Sequence, residues 1–151
     1  MDSTKNFNDE SDLSLKLFVV LSRALQAIEK QSVANIKSHG LNLTEFAVLE
    51  LLFNKGEQPI QKIRHKVLLA SSSITYVVDK LEERKYIERK ACPTDRRVTF
   101  AALTPKGKEL MDEIFPQHRE ALNEILGGLD SDEKKATIEQ LKKLGLYAQR
   151  L

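Results

Sequence analysis

Side chains suited to contacting nucleic acid are concentrated between residues 61 and 97. Hydroxyl, amide and cationic groups hydrogen-bond the base edges and phosphates of DNA. The candidates are Gln61, Lys62, Ser71, Ser72, Ser73, Thr75, Tyr76, Lys80, Arg96 and Arg97. We expect the hydroxyl groups to contact bases or phosphates, and the glutamine and the lysines to contact phosphates. The three serines could instead serve only to cap a helix.

Two short segments of alternating polarity, residues 86–92 and 97–103, flank a turn at residues 93–96; Arg96 ends this turn and Arg97 begins the second segment. Such alternation is typical of β-strands, and an arginine at the tip of a hairpin can enter the minor groove, where the negative potential favours a guanidinium group. Asp95 is expected to hold one of the two arginines in place. We therefore predict that Arg96 contacts DNA, whereas Arg97 either contacts DNA or pairs with Asp95.

Positive charge is concentrated in the middle of the chain. The whole protein has a net charge of +2, but residues 55–108 contain 13 Lys or Arg against 6 Asp or Glu, a net charge of +7. A basic segment on an otherwise acidic chain is typical of a face that binds nucleic acid. The alternative is that these residues only solvate the surface.

Cys92 is the single cysteine of the chain, so no disulfide can form within it. The neighbouring Arg89, Lys90 and Arg96 could lower the pKa of the thiol and make it reactive toward oxidants. The alternative, which we favour, is that Cys92 is an ordinary residue of the hairpin.

Other classes of function find little support in the sequence. His39, His65 and His118 lie far apart, so no metal site and no cofactor are expected. No nucleophile, base and orienting group occur together, and no Gly-rich phosphate loop is present, which argues against an enzyme. The longest apolar run, residues 17–21, is too short to span a membrane, and the polar N-terminus does not resemble a secretory signal. We expect a cytoplasmic protein with no membrane partner.

Capping signals predict where the helices begin. Asn42 and Glu45 have the spacing of a capping box before a helix over residues 43–54. A short helix over residues 61–67 or 68 follows, and the three serines open another that ends near residue 84 or 85. Thr104 and Pro105 are a typical N-cap and first residue of a helix.

The two terminal regions are also predicted to be helical. Pro116 should kink the helix that runs from Pro105 to Gly127. Asp130 and Glu133 have the spacing of a second capping box before the last helix, which runs to Leu151. The first helix, residues 13–38, is apolar on nearly all sides at residues 17–21. This part of the helix either lies deep in the core of one chain or is shared with a second subunit.

Residues 95–107, DRRVTFAALTPKG, resemble the signature of the MarR family, which is D-x-R, a short strand and L-T-x-x-G. Residues 74–89 are similar to the recognition helix of that family entering its wing, and residues 42–52 are similar to its second helix. The order of elements agrees over residues 13–151. Four segments resemble the methylhydroquinone-responsive repressor subgroup; they are residues 15–21, 44–51, 74–81 and 93–98.

The resemblance implies a mainly α fold with a small β-hairpin wing. A flexible N-terminus, residues 1–12, would precede a single domain over residues 13–151. In that domain, dimerisation helices at 13–39 and 105–151 would flank a winged helix-turn-helix at 42–104. The resemblance also implies a homodimeric transcriptional regulator, usually a repressor, that binds a pseudo-palindromic operator in double-stranded DNA.

A small-molecule pocket between the dimer helices and the DNA-binding lobe is a further implication of the resemblance. We expect a phenolic, aromatic or quinone-like effector that weakens DNA binding by favouring a wrong separation of the two recognition helices. The pocket candidates are Phe18, His39, Phe46, Phe53, Phe115 and His118, although packing is the alternative role of each. Two other functions remain open: a thiol-based redox regulator acting through Cys92, and a winged-helix module that binds proteins.

Overall fold

A computed structural model describes residues 9–67 and 73–151 of the protein. Its elements follow the order α1 (Glu10–Lys37), α2 (Leu43–Lys55), β1 (Gln58–Pro59), α3 (Ile60–Lys66), α4 (Ile74–Glu83), β2 (Ile87–Ala91), β3 (Thr99–Leu103), α5 (Pro105–Ile125) and α6 (Ser131–Gln149). The predicted DNA contacts Ser71 and Ser72 lie outside the described residues. The mainly helical fold with a β-hairpin, predicted from the sequence, is confirmed.

The hairpin belongs to a three-stranded antiparallel sheet in the order β1-β3-β2. The alternation of polarity indicated strands only in the hairpin, but a third strand is present, in which Gln58 pairs with Ala101 and Pro59 pairs with Phe100. A strand of two residues shows no alternation of polarity that a sequence pattern could reveal. The third strand attaches the hairpin to the helices. An isolated two-stranded ribbon would lack this attachment and is only marginally stable in water.

Side-chain caps determine where several helices begin. The predicted capping boxes are confirmed: Glu45 N donates to Asn42 Oδ1 at 2.8 Å before α2, and Glu133 N donates to Asp130 Oδ1 at 2.8 Å before α6. Helix α1 begins at Glu10, three residues before the predicted start, because the Asp9 side chain caps it by accepting from Ser11 N.

Helix α5 continues across Pro116. A proline inside a helix removes the hydrogen bond from its own position to the carbonyl four residues earlier, here that of Asp112. Both residues are exposed, so water can satisfy this carbonyl and the helix need not end there.

The core lies between α2, α3, α4, α5 and the sheet. Its fully buried side chains include Leu49, Ile63, Val78, Leu81, Ile87 and Met111. Burying aliphatic side chains of this size stabilises a fold by about 1.5–3 kcal/mol each before the entropy cost of folding. Residues of α3, α4 and the wing strands all contribute to this core, which therefore connects the elements that carry the polar faces.

The terminal helices contribute much less to the core. Within the described residues, α6 buries no residue, and the apolar segment at residues 17–21 of α1 is exposed, with Phe18 70% exposed and Leu17 50% exposed. This finding excludes the first of the two interpretations of α1, in which the segment lies deep in the core of one chain. None of the described helices is long and apolar enough to cross a membrane.

Candidate nucleic-acid interface and effector cavity

Helix α4 brings several of the predicted DNA contacts to one exposed face. Ile74, Val77, Val78 and Leu81 are buried against the core. Thr75, Tyr76 and Lys80 are consequently exposed on the opposite side. Ser73 occupies the N-cap position without making a side-chain cap bond, so its hydroxyl group is not used for capping. The capping role that the sequence allowed for this serine is therefore not observed.

Lys80 and the residues of α3 supply positive charge beside this face. Lys80 Nζ lies 3.6 Å from Glu83 Oε2 and 5.5 Å from the centre of the Tyr76 ring. On α3, Lys62 is exposed as predicted, and Arg64 and His65 are exposed next to it. Neither of these last two residues was among the predicted contacts, although His65 follows Lys62 by three positions and so shares its face of the helix.

The two arginines at the wing tip, Arg96 and Arg97, differ in their contacts. Asp95 Oδ1 accepts from the Arg97 backbone N at 3.0 Å and from Arg97 Nε at 3.1 Å, and Asp95 Oδ2 accepts from an Arg97 guanidinium nitrogen at 3.2 Å. These hydrogen bonds lower the pKa of the Asp95 carboxyl group. Arg96 is exposed and makes no hydrogen bond or ion pair within the described part of the chain. The arginine paired with Asp95 is therefore Arg97.

Two side chains attach the wing to the helix-turn-helix. Gln61 Nε2 donates to the Arg97 carbonyl oxygen at 3.1 Å, so this predicted phosphate donor already donates within the protein. Arg89 on β2 pairs with Asp79 and, at 2.6 Å, with Glu82 on α4, and these partners raise its pKa, the hydrogen bond to Asp79 most. This role of Arg89 was not predicted, although acidic residues three apart on one helix face are a signal for a cationic partner.

The L-T-x-x-G segment makes the junction between α4, the wing and α5. Thr104 Oγ1 accepts from Gly107 N at 3.0 Å and donates to the Lys85 carbonyl oxygen at 2.6 Å. A Cβ atom at Gly107 would lie 2.1 Å from the Tyr86 carbonyl oxygen, closer than any real contact. Glycine is therefore required here because the backbone of Tyr86 passes directly over it.

Cys92 is half-buried at the start of the wing tip. Its Sγ lies 3.3 Å from Thr94 Oγ1, and hydrogen bonds from Thr94, its hydroxyl group first, lower the pKa of the thiol. The cause expected from the sequence was wrong, because Arg89 is turned toward α4 and cations do not account for the shift.

A cavity of about 330 Å³ lies between α1, α2, α5 and the end of α3. Phe46 and His118, two of the predicted pocket residues, line it. The other four do not: Phe18 is exposed on α1, Phe53 and Phe115 pack against each other with ring centres 5.4 Å apart, and His39 lies beyond the lining. Sequence spacing could not separate them, because aromatic residues that pack and those that line a cavity share the same helix faces.

Glu50 and His118 form the polar part of this cavity. His118 Nε2 lies 3.5 Å from Glu50 Oε2, and the His118 ring lies 4.4 Å from the ring of Phe46. Burial, followed by the nearby His39, lowers the pKa of His118, and burial raises the pKa of Glu50. An ion pair would shift both pKa values the other way, so desolvation dominates and favours the neutral form of each group. Glu50 was not among the predicted pocket residues; its signal in the sequence is a single charge within the apolar run of α2.

Comparison with known proteins places this arrangement in a family. The model of the MarR family matches residues 41–99. The HTH-type transcriptional regulator MhqR of Bacillus subtilis is 54% identical over 93% of this chain and 97% of its own length. The transcriptional repressor MprA of Escherichia coli is 30% identical over 83% of this chain and 75% of its own length.

A solved structure agrees with these sequence relatives. BpsR of Bordetella bronchiseptica, described in a study of the regulation of its DNA binding by 6-hydroxynicotinic acid, matches with a TM-score of 0.76 and 25% identity, over 86% of this chain and 98% of that one. These relatives are regulators, which confirms the prediction that the chain is not an enzyme. The chain belongs to the MarR family of winged helix-turn-helix, DNA-binding transcriptional regulators.

Proposed function

We propose that the protein is a homodimeric repressor that binds a pseudo-palindromic operator in double-stranded DNA and is released by a small aromatic, phenolic or quinone-like effector. The observation that carries this proposal is that one chain has two exposed surfaces of different character. One surface is the polar face of α4 with the wing tip, and the other is the apolar surface of the terminal helices.

The apolar surface is suited to a second copy of the chain. Its exposed side chains include Leu13, Leu15, Leu17, Phe18, Val20 and Leu25 on α1 and Ile138, Leu141, Leu144, Leu146 and Tyr147 on α6. Exposed apolar patches of this kind mark interaction sites, and a two-fold dimer covers the same patch on both chains. In this proposal, residues 13–39 and 105–151 dimerise, and residues 42–104 form the DNA-binding lobe.

The DNA contacts follow from the exposed residues of α3, α4 and the wing. Thr75 and Tyr76 face the major groove, Lys62 and Lys80 contact phosphates, and Arg96 enters the minor groove. In a symmetric dimer, two recognition helices of this type read half-sites about one helical turn apart. The predicted contacts at Ser71 and Ser72 remain part of the proposal.

The cavity is the proposed effector site. Its volume lies at the lower end of the range for small-molecule sites, the aromatic rings of Phe46 and His118 line it, and Glu50 can accept a hydrogen bond from a phenolic hydroxyl group. The regulation of BpsR by 6-hydroxynicotinic acid supports an aromatic effector here, and the repressor MprA supports the direction of control. Residues Lys66 and Val67 also line the cavity, which places it beside the end of α3.

Genomic DNA recovered with the protein, followed by footprinting, tests the DNA-binding part of the proposal. We expect a protected site with two related half-sites and a sedimentation coefficient that corresponds to a dimer. A single unpaired half-site or a monomer bound to DNA would refute the dimer.

The effector part is tested on the same operator with 2-methylhydroquinone, benzoquinone, salicylate and 6-hydroxynicotinic acid. We expect at least one of them to weaken DNA binding by wild-type protein. Ala47→Leu, which adds volume to the cavity wall, should retain DNA affinity and reduce that response. A response of equal size in the variant would place the effector elsewhere.

A thiol sensor at Cys92 is the second candidate function, and the lowered pKa of the thiol favours it. A winged-helix module that binds proteins would instead show no salt-sensitive binding to duplex DNA. The recovery of genomic DNA with the protein therefore also tests for such a protein-binding module.

A further inference from the structure

In the described residues, a single neutral side chain, Gln61, makes the hydrogen bond that joins the tip of the wing to α3. Strand β1 is only two residues long, and its second residue, Pro59, has no N–H group to donate to β3. Helix α3 begins at the next residue, Ile60, so the backbone of the chain turns away from the sheet. Beyond Pro59, the backbone ladder between β1 and β3 cannot continue.

Gln61 extends that ladder with its side chain. The register pairs Gln58 with Ala101 and Pro59 with Phe100, and its continuation would place position 61 opposite Val98. The Gln61 amide nitrogen donates to the carbonyl oxygen of Arg97, 3.1 Å away and adjacent to that position. The side chain therefore supplies a donor close to where a longer strand would have supplied a backbone N–H group.

The acceptor belongs to the turn that presents Arg96. Within this turn, Val98 N donates to the Asp95 carbonyl oxygen at 3.1 Å, and the Asp95 carboxylate accepts from Arg97 N at 3.0 Å. The turn is thus closed internally by Asp95, and among the described residues Gln61 provides its side-chain bond to α3. Rotation of the tip relative to α3 is restrained by that bond.

We infer that Gln61 is a positioning residue that holds the wing against α3 and so determines where Arg96 meets DNA. The inference rests on the proposed DNA contact of Arg96. It assigns to Gln61 a role different from the phosphate contact expected from the sequence. A phosphate contact by Gln61 would act independently of Arg96, whereas a positioning role acts through it.

A double-mutant cycle with Gln61→Ala and Arg96→Ala tests the inference on operator DNA. Gln61→Ala should weaken binding by about threefold to tenfold, the range for one hydrogen bond. In the Arg96→Ala background the same change should have almost no effect, because the contact that it positions is already absent. Lys62→Ala is the matched control, since Lys62 is the next residue of α3 and makes no described bond to the wing; its effect should be the same in both backgrounds.

Hydrogen exchange of the DNA-free protein provides a second measurement that does not depend on DNA binding. Gln61→Ala should increase exchange in peptides that cover residues 92–98, and Lys62→Ala should leave it unchanged. A loss of affinity from Gln61→Ala that is equally large in both Arg96 backgrounds would show a direct DNA contact and overturn the inference. Unchanged exchange would also overturn it. If the wild-type protein bound no DNA, the proposed function would fail, and the exchange measurement alone would decide the role of Gln61.

Discussion

Arg96→Ala removes the exposed cation of the wing tip and tests the proposed DNA interface most directly. Arg96 makes no bond to the described protein, so its loss should leave the fold unchanged and affect only DNA binding. Each neutralised phosphate contributes about 0.9 to the slope of log affinity against log salt concentration. A dimer loses two such contacts, which lowers the slope by about 1.8.

This change of slope can be converted into a measurable ratio of affinities. When the salt concentration rises fourfold, from about 50 to about 200 mM, the ratio of wild-type affinity to Arg96→Ala affinity should fall by about 12-fold, because 4 raised to the power 1.8 is about 12. Fluorescence anisotropy of a labelled operator at four salt concentrations measures both slopes.

The matched control for Arg96→Ala is Lys142→Ala, which removes a cation that is paired with Glu139 at 3.8 Å on the surface of α6. This variant should have the wild-type slope. Equal affinities and equal slopes for Arg96→Ala and wild type would refute the assignment of the wing to the minor groove.

Three further predictions concern the fold, the cavity and the thiol. Gly107→Ala should lower the free energy of unfolding by about 3 kcal/mol, because its Cβ would overlap the Tyr86 carbonyl oxygen; a urea midpoint equal to that of wild type would contradict the close approach. Burial holds the pKa of His118 below 6.5, so below pH 6.5 the unfolded chain binds more protons than the folded chain and stability falls. Urea unfolding between about pH 7.5 and 5.5 should show a smaller decrease in the free energy of unfolding for His118→Gln than for wild type. Equal decreases in the two proteins would exclude His118 as the cause. Cys92→Ser should retain both operator affinity and the effector response, and loss of the response would favour the thiol sensor instead.

Local signals in the sequence predicted most of the helical framework. The capping boxes at Asn42 and Asp130 and the Thr104 cap depend on residues within three positions of one another, so the chain forms them wherever the helix lies. Ile74, Val77, Val78 and Leu81 recur at helical spacing and so define the buried face of α4, and with it the exposure of Thr75 and Tyr76.

The candidate site was only partly predictable, because its decisive contacts join residues distant in sequence. The Gln61 bond to Arg97 spans 36 positions, and the pairing of Gln58 with Ala101 spans a similar distance. Glu50 and His118 meet only because α2 and α5 pack together. No periodicity or spacing encodes such contacts, since each depends on how separate helices and strands pack.

The sequence by itself therefore determined the helices, the basic hairpin and the residue types on the exposed face of α4 and at the wing tip, since these follow from short-range capping, periodicity and charge. The tertiary structure decided which of two adjacent arginines pairs with Asp95 and which aromatic residues line a cavity. It also decided how the wing is attached to the helix-turn-helix. Those outcomes depend on distances between elements, which arise only when the core brings the elements together.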